Sequence, residues 1–339
     1  RNGKKRIIVV TYTEHNNKIV LKHMKILAND GISQNGITTL EKAGFNVLTT
    51  TVAQEQLSNY INENKIDALL VRSATKVRKE LIDACPTLKL IGRGGVGMDN
   101  IDVDYAKSKN IHVINTPAAS SESVAELVFA HLYGGARFLY DANRNMPLEG
   151  DSNFKGLKKS YSKGTELRGK TLGICGFGNI GQATAKLAIG AGMKVIYCDP
   201  DVAQTDIELT FYDGQNVTFT LKNTDKDDVL KNADYISLHI PGQENYVLGK
   251  AEFSKMKQGV GIVNAARGGV LDEVALIDAL ENGTVAFAGL DVYESEPKPE
   301  IKILMHSSIS LSPHIGAATL EAQERIGQEL ADQIISLLN

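Results

Sequence analysis

Three cysteines, Cys85, Cys175 and Cys198, are all that the 339-residue sequence contains. Their odd number and wide spacing offer neither a disulfide framework nor a thiolate metal site, and no metal is expected. Cys175 and Cys198 lie in apolar strand-like runs, which is where buried free thiols sit in a reducing compartment such as the cytoplasm. Long hydrophobic runs are also missing. None approaches the ~20 residues needed to cross a bilayer, so no membrane partner is expected. Charge of one sign is not in excess either: 37 Lys and Arg face 40 Asp and Glu, a net charge of −3. That balance gives no general attraction for nucleic acid. There is no internal repeat and no low-complexity tract. The opening "RNGKKRIIVVTYTEHNNKIVLKH" is basic, but its apolar stretch is only "IIVV" and no small-residue cleavage site follows. A secretory leader is therefore not expected. Residues 1–23 are set aside as a native arm or an upstream remnant ahead of a start at Met24.

What is present is a soluble globular composition, 42% hydrophobic and 23% charged, in a chain long enough for two ordinary domains. From Lys25, short apolar strands alternate with amphipathic helices. "KILAND", "NVLTTT", "DALLVRS", "LKLIGR" and "HVINTP" read as strands; "NGITTLEKAG", "EQLSNYINEN" and "KELIDAC" read as helices. Such alternation implies a parallel sheet covered on both faces. A long helix begins near "SSESVAELVFAHL", its serines placed for N-capping. The polar stretch "NRNMPLEGDSNFKGLKKSYSKG" reads as irregular surface structure. The strand–helix pattern then restarts at "GKTLGICGFGNIGQATAKLAIGAGMKVIYCDP", so a second α/β domain follows the first.

That restart carries a phosphate-binding turn. Gly176, Gly178 and Gly181 form G-x-G-x-x-G directly after the strand "TLGIC", with Asn179 and Ile180 opening the helix. The first glycine permits the turn, the second lets the backbone approach a pyrophosphate, and the third lets helix and strand pack closely. The helix N-terminus adds free N–H groups and partial positive charge. Asp199 ends the next strand at the expected distance, where it would bond ribose hydroxyls and repel a 2′-phosphate. No Arg follows it in "DPDVAQTD", which favours NAD over NADP.

Hydride chemistry on a hydroxy acid needs a cation for the carboxylate, a proton shuttle, and a group that tunes the shuttle. Arg267 in "NAARGGVLDE", Asp291 and Glu296 in "GLDVYESEP", and His314 in "SPHIGAAT" each follow an apolar strand. Strand C-termini of such sheets face the ligand crevice. Spacing alone does not bring these residues together.

Together with "VRSATKV", "IGRGGVGMDNID", "NTP" and "SLHIPG", these motifs stand in the order of a known family. From Met24 to about Leu338 the chain resembles the D-isomer-specific 2-hydroxyacid dehydrogenases, most of all the members that oxidise D-3-phosphoglycerate in serine biosynthesis. The resemblance implies two Rossmann-like doubly wound domains. A flavodoxin-like substrate domain, 24–120 and 305–339, is interrupted by an inserted NAD-binding domain, 121–304, with crossings near Thr116 to Ser123 and Leu304 to Ala317. It also implies that Arg267 binds the substrate carboxylate and that His314 moves the hydroxyl proton. Glu296 would bond His314 and stabilise its imidazolium. The backbone of Gly94, Gly95, Val96 and Gly97 would cradle the carboxylate. Asp291 would lie by the nicotinamide carboxamide, His239, Ile240 and Pro241 by the adenine, and Ala265 and Gly316 in the cofactor pocket. Arg72, Lys76 and Arg93 would hold a substrate phosphate, and Arg137 would reach a neighbouring subunit's site in a homodimer formed through the NAD domain.

Three departures from the family stand out. Ala and Ser occupy "NTPAASS" where relatives often carry Asn. The segment between Asp199 and His239 is longer than usual, and its "DGQN" suggests an added hairpin. The regulatory domains of longer relatives are not expected after Asn339. Two alternatives remain at this stage: a hydroxypyruvate or glyoxylate reductase or D-lactate dehydrogenase on the same fold, and an NAD-sensing scaffold of the corepressor type.

Overall fold

A computed structural model describes residues 24–338; the reading of residues 1–23 lies outside them. Five parallel strands form the first sheet: β1 (Lys25–Ala28), β2 (Asn46–Leu48), β3 (Ala68–Val71), β4 (Leu90–Arg93) and β5 (His112–Asn115). They lie in the order β2-β1-β3-β4-β5, the flavodoxin-like arrangement. Successive residues of a strand point to opposite faces, and here both faces are buried. Leu27, Leu69 and Ile91 pack with Leu57 and Ile61 on one side. Ile26, Leu70 and Leu90 pack with Leu40 and with Ile326, Leu330 and Ile334 on the other. Those last three belong to the final helix, Leu320–Leu338. The C-terminal end of the chain thus completes the first domain. It docks closely on the helix Gln34–Lys42, where a Cβ on Gly36 would stand 2.7 Å from the Gly327 carbonyl oxygen.

The second domain lies between these two parts. Its strands are β6 (Thr171–Cys175), β7 (Lys194–Cys198), β10 (Tyr235–Leu238), β11 (Val260–Asn264), β12 (Val285–Leu290) and β13 (Ile309–Leu311), with β8 (Gln204–Thr210) and β9 (Asn216–Lys222) apart from them. The order β13-β12-β11-β10-β6-β7 is all parallel. Chain direction across the sheet reverses between β6 and β10, the switch point where ligands bind such sheets. The helix Ser121–Ala136 carries the chain into this domain and buries Val124, Val128, Phe129 and Leu132 in its core.

Four expectations meet the structure here. The second boundary is corrected, because β13 pairs with β12 in the second sheet. Residues 305–311 therefore belong with the second domain, and the return crossing lies between Leu311 and Leu320. The stretch read as irregular is helical, as Leu139–Glu149 with Pro147 inside it, then Phe154–Ser160. Its helix is fixed from outside its own pattern: the Tyr161 hydroxyl donates to Asp141 at 2.8 Å, and Asn145 donates to that hydroxyl at 2.7 Å. Ser120 does stand at the N-cap of Ser121–Ala136, but its side chain makes no capping bond. The hairpin expected at "DGQN" is present: β8 and β9 pair antiparallel, and Gly214 takes the turn's left-handed φ of 84°. Its far end matters to the site, since Asn223 accepts from the Asp199 N–H at 2.9 Å.

Candidate active site at the domain crossing

The phosphate-binding turn is built as its spacing requires. β6 runs into Gly176 at φ 89°. A Cβ there would collide with the His239 carbonyl oxygen, and one on Gly181 with the Gly176 carbonyl oxygen. Gly178 meets nothing within 4 Å and is the N-cap of the helix Asn179–Gly190. The open second glycine therefore presents bare backbone and a helix N-terminus to a phosphate. Beside it a cleft of about 480 Å³ is lined by Gly176, Cys198, Asp199, Asn223, Ile240 and Pro241. These features fit a dinucleotide with its adenosine in the cleft.

Some residues expected to hold the cofactor do more scaffold work than the motif suggests. Asp199 accepts from the N–H groups of Phe177 (2.6 Å), Asp201 (2.8 Å) and Val202 (3.2 Å), and so holds the turn itself. Asn179 donates to the Pro117 carbonyl at 3.1 Å, tying the turn to the first crossing. The ring of His239, expected beside the adenine, bonds through Nε2 to Ser237 (2.9 Å) and Thr184 (3.1 Å). Burial pushes that imidazole down to about 3, so it is neutral, and the Nδ1 atom is buried without a partner.

Three neighbouring strands, β11, β12 and β13, end in the three polar loops that were singled out. Arg267 follows β11, and Gly268 packs so tightly on the Tyr293 and Glu294 backbone that a Cβ there would collide with it. Tyr293 in turn donates its hydroxyl to the Ser312 carbonyl at 2.9 Å. Glu296 accepts from the Tyr293 N–H at 3.0 Å through one oxygen and meets His314 Nδ1 at 2.9 Å through the other. An ionised carboxylate only accepts, so His314 Nδ1 carries a proton and donates to Glu296. His314 sits at φ 55°, a left-handed conformation that costs a non-glycine residue roughly 1–2 kcal/mol.

Asp291 compensates that strain. It is 1% exposed, and its carboxylate accepts from Ser312 Oγ (2.6 Å), Ile315 N (2.8 Å) and Gly316 N (2.8 Å), on either side of His314. Its role as a clamp on this loop was not visible in the sequence. Beneath it, His131 meets Ser310 Oγ at 2.8 Å through Nδ1 and Ser312 Oγ at 3.0 Å through Nε2. Ser312 uses its one proton on Asp291, so the His131 Nε2–H donates to Ser312 and Nδ1 accepts from Ser310. Burial lowers the His131 pKa against an opposing pull from Asp291. Gly316 also accepts from Ser123 Oγ at 2.6 Å, stitching the two crossings together. Ala265 is buried at the end of β11.

The first domain meets this group with its glycine loop. A Cβ on Gly97 would collide with the Arg267 guanidinium, and Arg267 Nε donates to Asp99 Oδ2 at 3.0 Å across the domain boundary. Burial raises the Asp99 pKa, but the charge and hydrogen bond of Arg267, with Arg93 beyond, hold it below its ordinary value overall. Asp99 lies inside a quoted motif, yet no local pattern gave it this partner. Arg93 folds over Gly95, where a Cβ would collide with its guanidinium. Burial and repulsion from Arg267 and Arg72, against the attraction of Asp99, bring the Arg93 guanidinium down to about 10. It remains charged at neutral pH, with Nε buried and unpartnered. Asn100 fixes the neighbouring loop by donating to the carbonyls of Arg72 and Thr75 at 2.7 Å each. Val96 is held by Asn115, which donates to its carbonyl at 2.7 Å, and Gly94 accompanies Arg72 around a second hollow. Two expected residues stay apart. Lys76 is exposed and bonds Gln54 through its backbone. Arg137 lies beside Gly164 at the far end of Ser121–Ala136, about 24 Å along that helix from the crossing.

Known proteins resemble this chain in sequence and fold. The family model described as D-isomer specific 2-hydroxyacid dehydrogenase, NAD binding domain, matches residues 129–316, more than half of the chain. A hydroxypyruvate reductase of Thermotoga maritima is 41% identical over 320 residues, covering 93% of this chain and 98% of that one. A D-3-phosphoglycerate dehydrogenase of Archaeoglobus fulgidus is 39% identical over 318 residues, but the match spans only 57% of its length. Among solved structures, a glyoxylate reductase from Paecilomyes thermophila superposes with a TM-score of 0.77 at 29% identity, covering 94% of this chain and 97% of that one. Motif order, sheet topology and these similarities agree: the chain belongs to the D-isomer-specific 2-hydroxyacid dehydrogenases, and its second domain is their NAD-binding domain.

Proposed function

We propose that the chain oxidises D-3-phosphoglycerate to 3-phosphohydroxypyruvate, the first step of serine biosynthesis. NAD, held by the turn at Gly176–Gly181 and by the cleft at Asp199, would supply the acceptor for the C2 hydride. His314 Nε2 takes the proton from the C2 hydroxyl, while Glu296 keeps the other ring nitrogen protonated and the ring oriented. Arg267 and the N–H groups of 94–97 hold the carboxylate, for which a planar guanidinium is suited. Closing the domains excludes water from the reacting atoms.

The observation that carries the phosphate is Arg93. A half-buried guanidinium with a buried, unpartnered Nε, repelled by Arg72 and Arg267 and attracted by Asp99, supports an anion beyond the one that Arg267 would bind. Asp99 and one substrate carboxylate would set two negative charges against the three guanidinium charges of Arg72, Arg93 and Arg267. A second reading, hydroxypyruvate reductase, is favoured by the near full-length similarity to the Thermotoga maritima enzyme. We assign a homodimer through the second domain, supported by the exposed apolar side chains Leu139, Leu148 and Phe154 on its helical arm.

The deciding experiment compares kcat/KM for NADH oxidation with 3-phosphohydroxypyruvate and with hydroxypyruvate. The phosphorylated substrate is expected to be preferred about a hundredfold, equal to about 2.7 kcal/mol, and Arg93→Met should remove most of that preference. Equal or reversed preference in the unsubstituted enzyme refutes the phosphate site and leaves the reductase.

A further inference from the structure

We propose that Cys175 and Cys198 form a reversible dithiol–disulfide couple at the adenosine end of the cofactor cleft, oxidised by hydroperoxides, and that its disulfide form binds NAD weakly. The inference does not depend on which 2-oxoacid the enzyme uses.

The two residues are direct partners in the parallel ladder between β6 and β7. Neighbouring strands lie about 4.8 Å apart, inside the roughly 4.4–6.8 Å between Cα atoms that a disulfide accommodates. In-register partners of a parallel pair point to the same face, and both side chains pack against the cluster around Val229, Leu230 and Ile236. Position makes the pair consequential. Cys175 precedes Gly176 and Cys198 precedes Asp199, the two anchors of the cofactor. The Gly176 N–H also donates to the Cys198 carbonyl at 2.9 Å, so the turn is hung on this strand end.

Access and reactivity divide between the two sulfurs. Cys198 is half-buried and lines the cleft, whereas Cys175 is fully buried. The neighbouring Cys175 thiol, with the Lys226 ammonium, holds the Cys198 thiol below its ordinary value, against burial and Asp199. Hydrogen bonding to Cys198 and burial keep Cys175 protonated. Cys198 is thus the attacking thiolate and Cys175 the resolving thiol. Cys85 is the internal contrast: it is buried in the first domain, and burial alone pushes it up to about 11.

The chemistry balances. The Cys198 thiolate attacks a peroxide oxygen, the O–O bond breaks, and the alkoxide leaves as alcohol, giving a sulfenic acid. Cys175 then attacks that sulfur, the S–O bond breaks, and the hydroxide takes the Cys175 proton and leaves as water. The two thiols are oxidised by two electrons and the hydroperoxide is reduced to alcohol and water. Closing the S–S bond to about 2.05 Å pulls the Cys198 side chain out of its place in the cleft lining and fixes it against β6, on the residue that precedes Asp199. By linkage, bound dinucleotide must disfavour the disulfide to the same degree that the disulfide disfavours the dinucleotide.

The test treats the full chain with tert-butyl hydroperoxide, with and without saturating NADH, and follows intact mass, peptide maps and NADH affinity by nucleotide fluorescence. The expected result is loss of two hydrogens, a peptide linked through Cys175 and Cys198, and about tenfold weaker NADH binding, all reversed by dithiothreitol and slowed by NADH. Cys85→Ala should behave identically, and Cys198→Ser should form no linked peptide. Oxygen added to Cys198 without a linked peptide overturns the proposal, as does a linked peptide that leaves NADH affinity unchanged.

Discussion

Replacing Asp291 by Asn tests the clamp on the loop that carries His314. The carboxylate accepts three hydrogen bonds, from Ser312 Oγ, Ile315 N and Gly316 N, in a position 1% exposed. An amide oxygen can keep the Ser312 and Ile315 bonds, now without charge assistance. The amide nitrogen then faces the Gly316 N–H, donor against donor. Losing one charge-assisted bond costs about 1.5–3 kcal/mol. With the two weakened bonds, the expected destabilisation is about 2–4 kcal/mol, read as a lower urea midpoint at unchanged slope. The catalytic effect follows from the left-handed backbone of His314. Without the clamp the loop relaxes, and restoring it for each turnover at about 2 kcal/mol lowers kcat by roughly thirtyfold. Steady-state kinetics at saturating NADH and oxoacid measures this. A variant with unchanged urea midpoint and unchanged kcat would refute the clamp.

Two further predictions follow from the geometry. Gly97→Ala puts a methyl group in the seat of the Arg267 guanidinium. The oxoacid kcat/KM should fall about 10- to 100-fold, the worth of one displaced charged contact, with NADH affinity unchanged; an unaltered KM and kcat would show that Arg267 needs no such seat. His239 is held neutral, with a pKa lowered from 6.5 to about 3. Between those values the unfolded chain binds a proton that the folded chain does not, so stability is full above about pH 6.5 and falls on acidification, by at most about 1.4 kcal/mol per pH unit for this one group. His239→Asn should flatten the profile of urea midpoint against pH, and an equally steep profile in the variant would assign the acid sensitivity elsewhere.

Much of this protein is written locally. Alternating apolar strands and amphipathic helices specified two parallel sheets, because a parallel strand must be apolar along its length and its crossover helix along one side. The glycines of the turn and the hairpin glycine were legible because each answers a local backbone demand. Arg267, Glu296 and His314 could be named from motifs, but their assembly could not. It depends on β11, β12 and β13 lying side by side, and only the pairing of β13 with β12 places residues 305–311 in the second domain. The stretch 143–164 does not read as helix in the sequence because Pro147 and a polar pattern hide the period, while Tyr161 and Asp141 fix it from a distance. The strongest decisions left to tertiary structure concern polar partners far apart in the chain. Asp99 reaches Arg267 across 168 positions, and Ser123 reaches Gly316 across 193. Sequence determines which backbone conformations and apolar faces each segment prefers, since those depend on near neighbours. Only the folded chain decides which buried donor meets which acceptor, since that depends on where the sheets bring them.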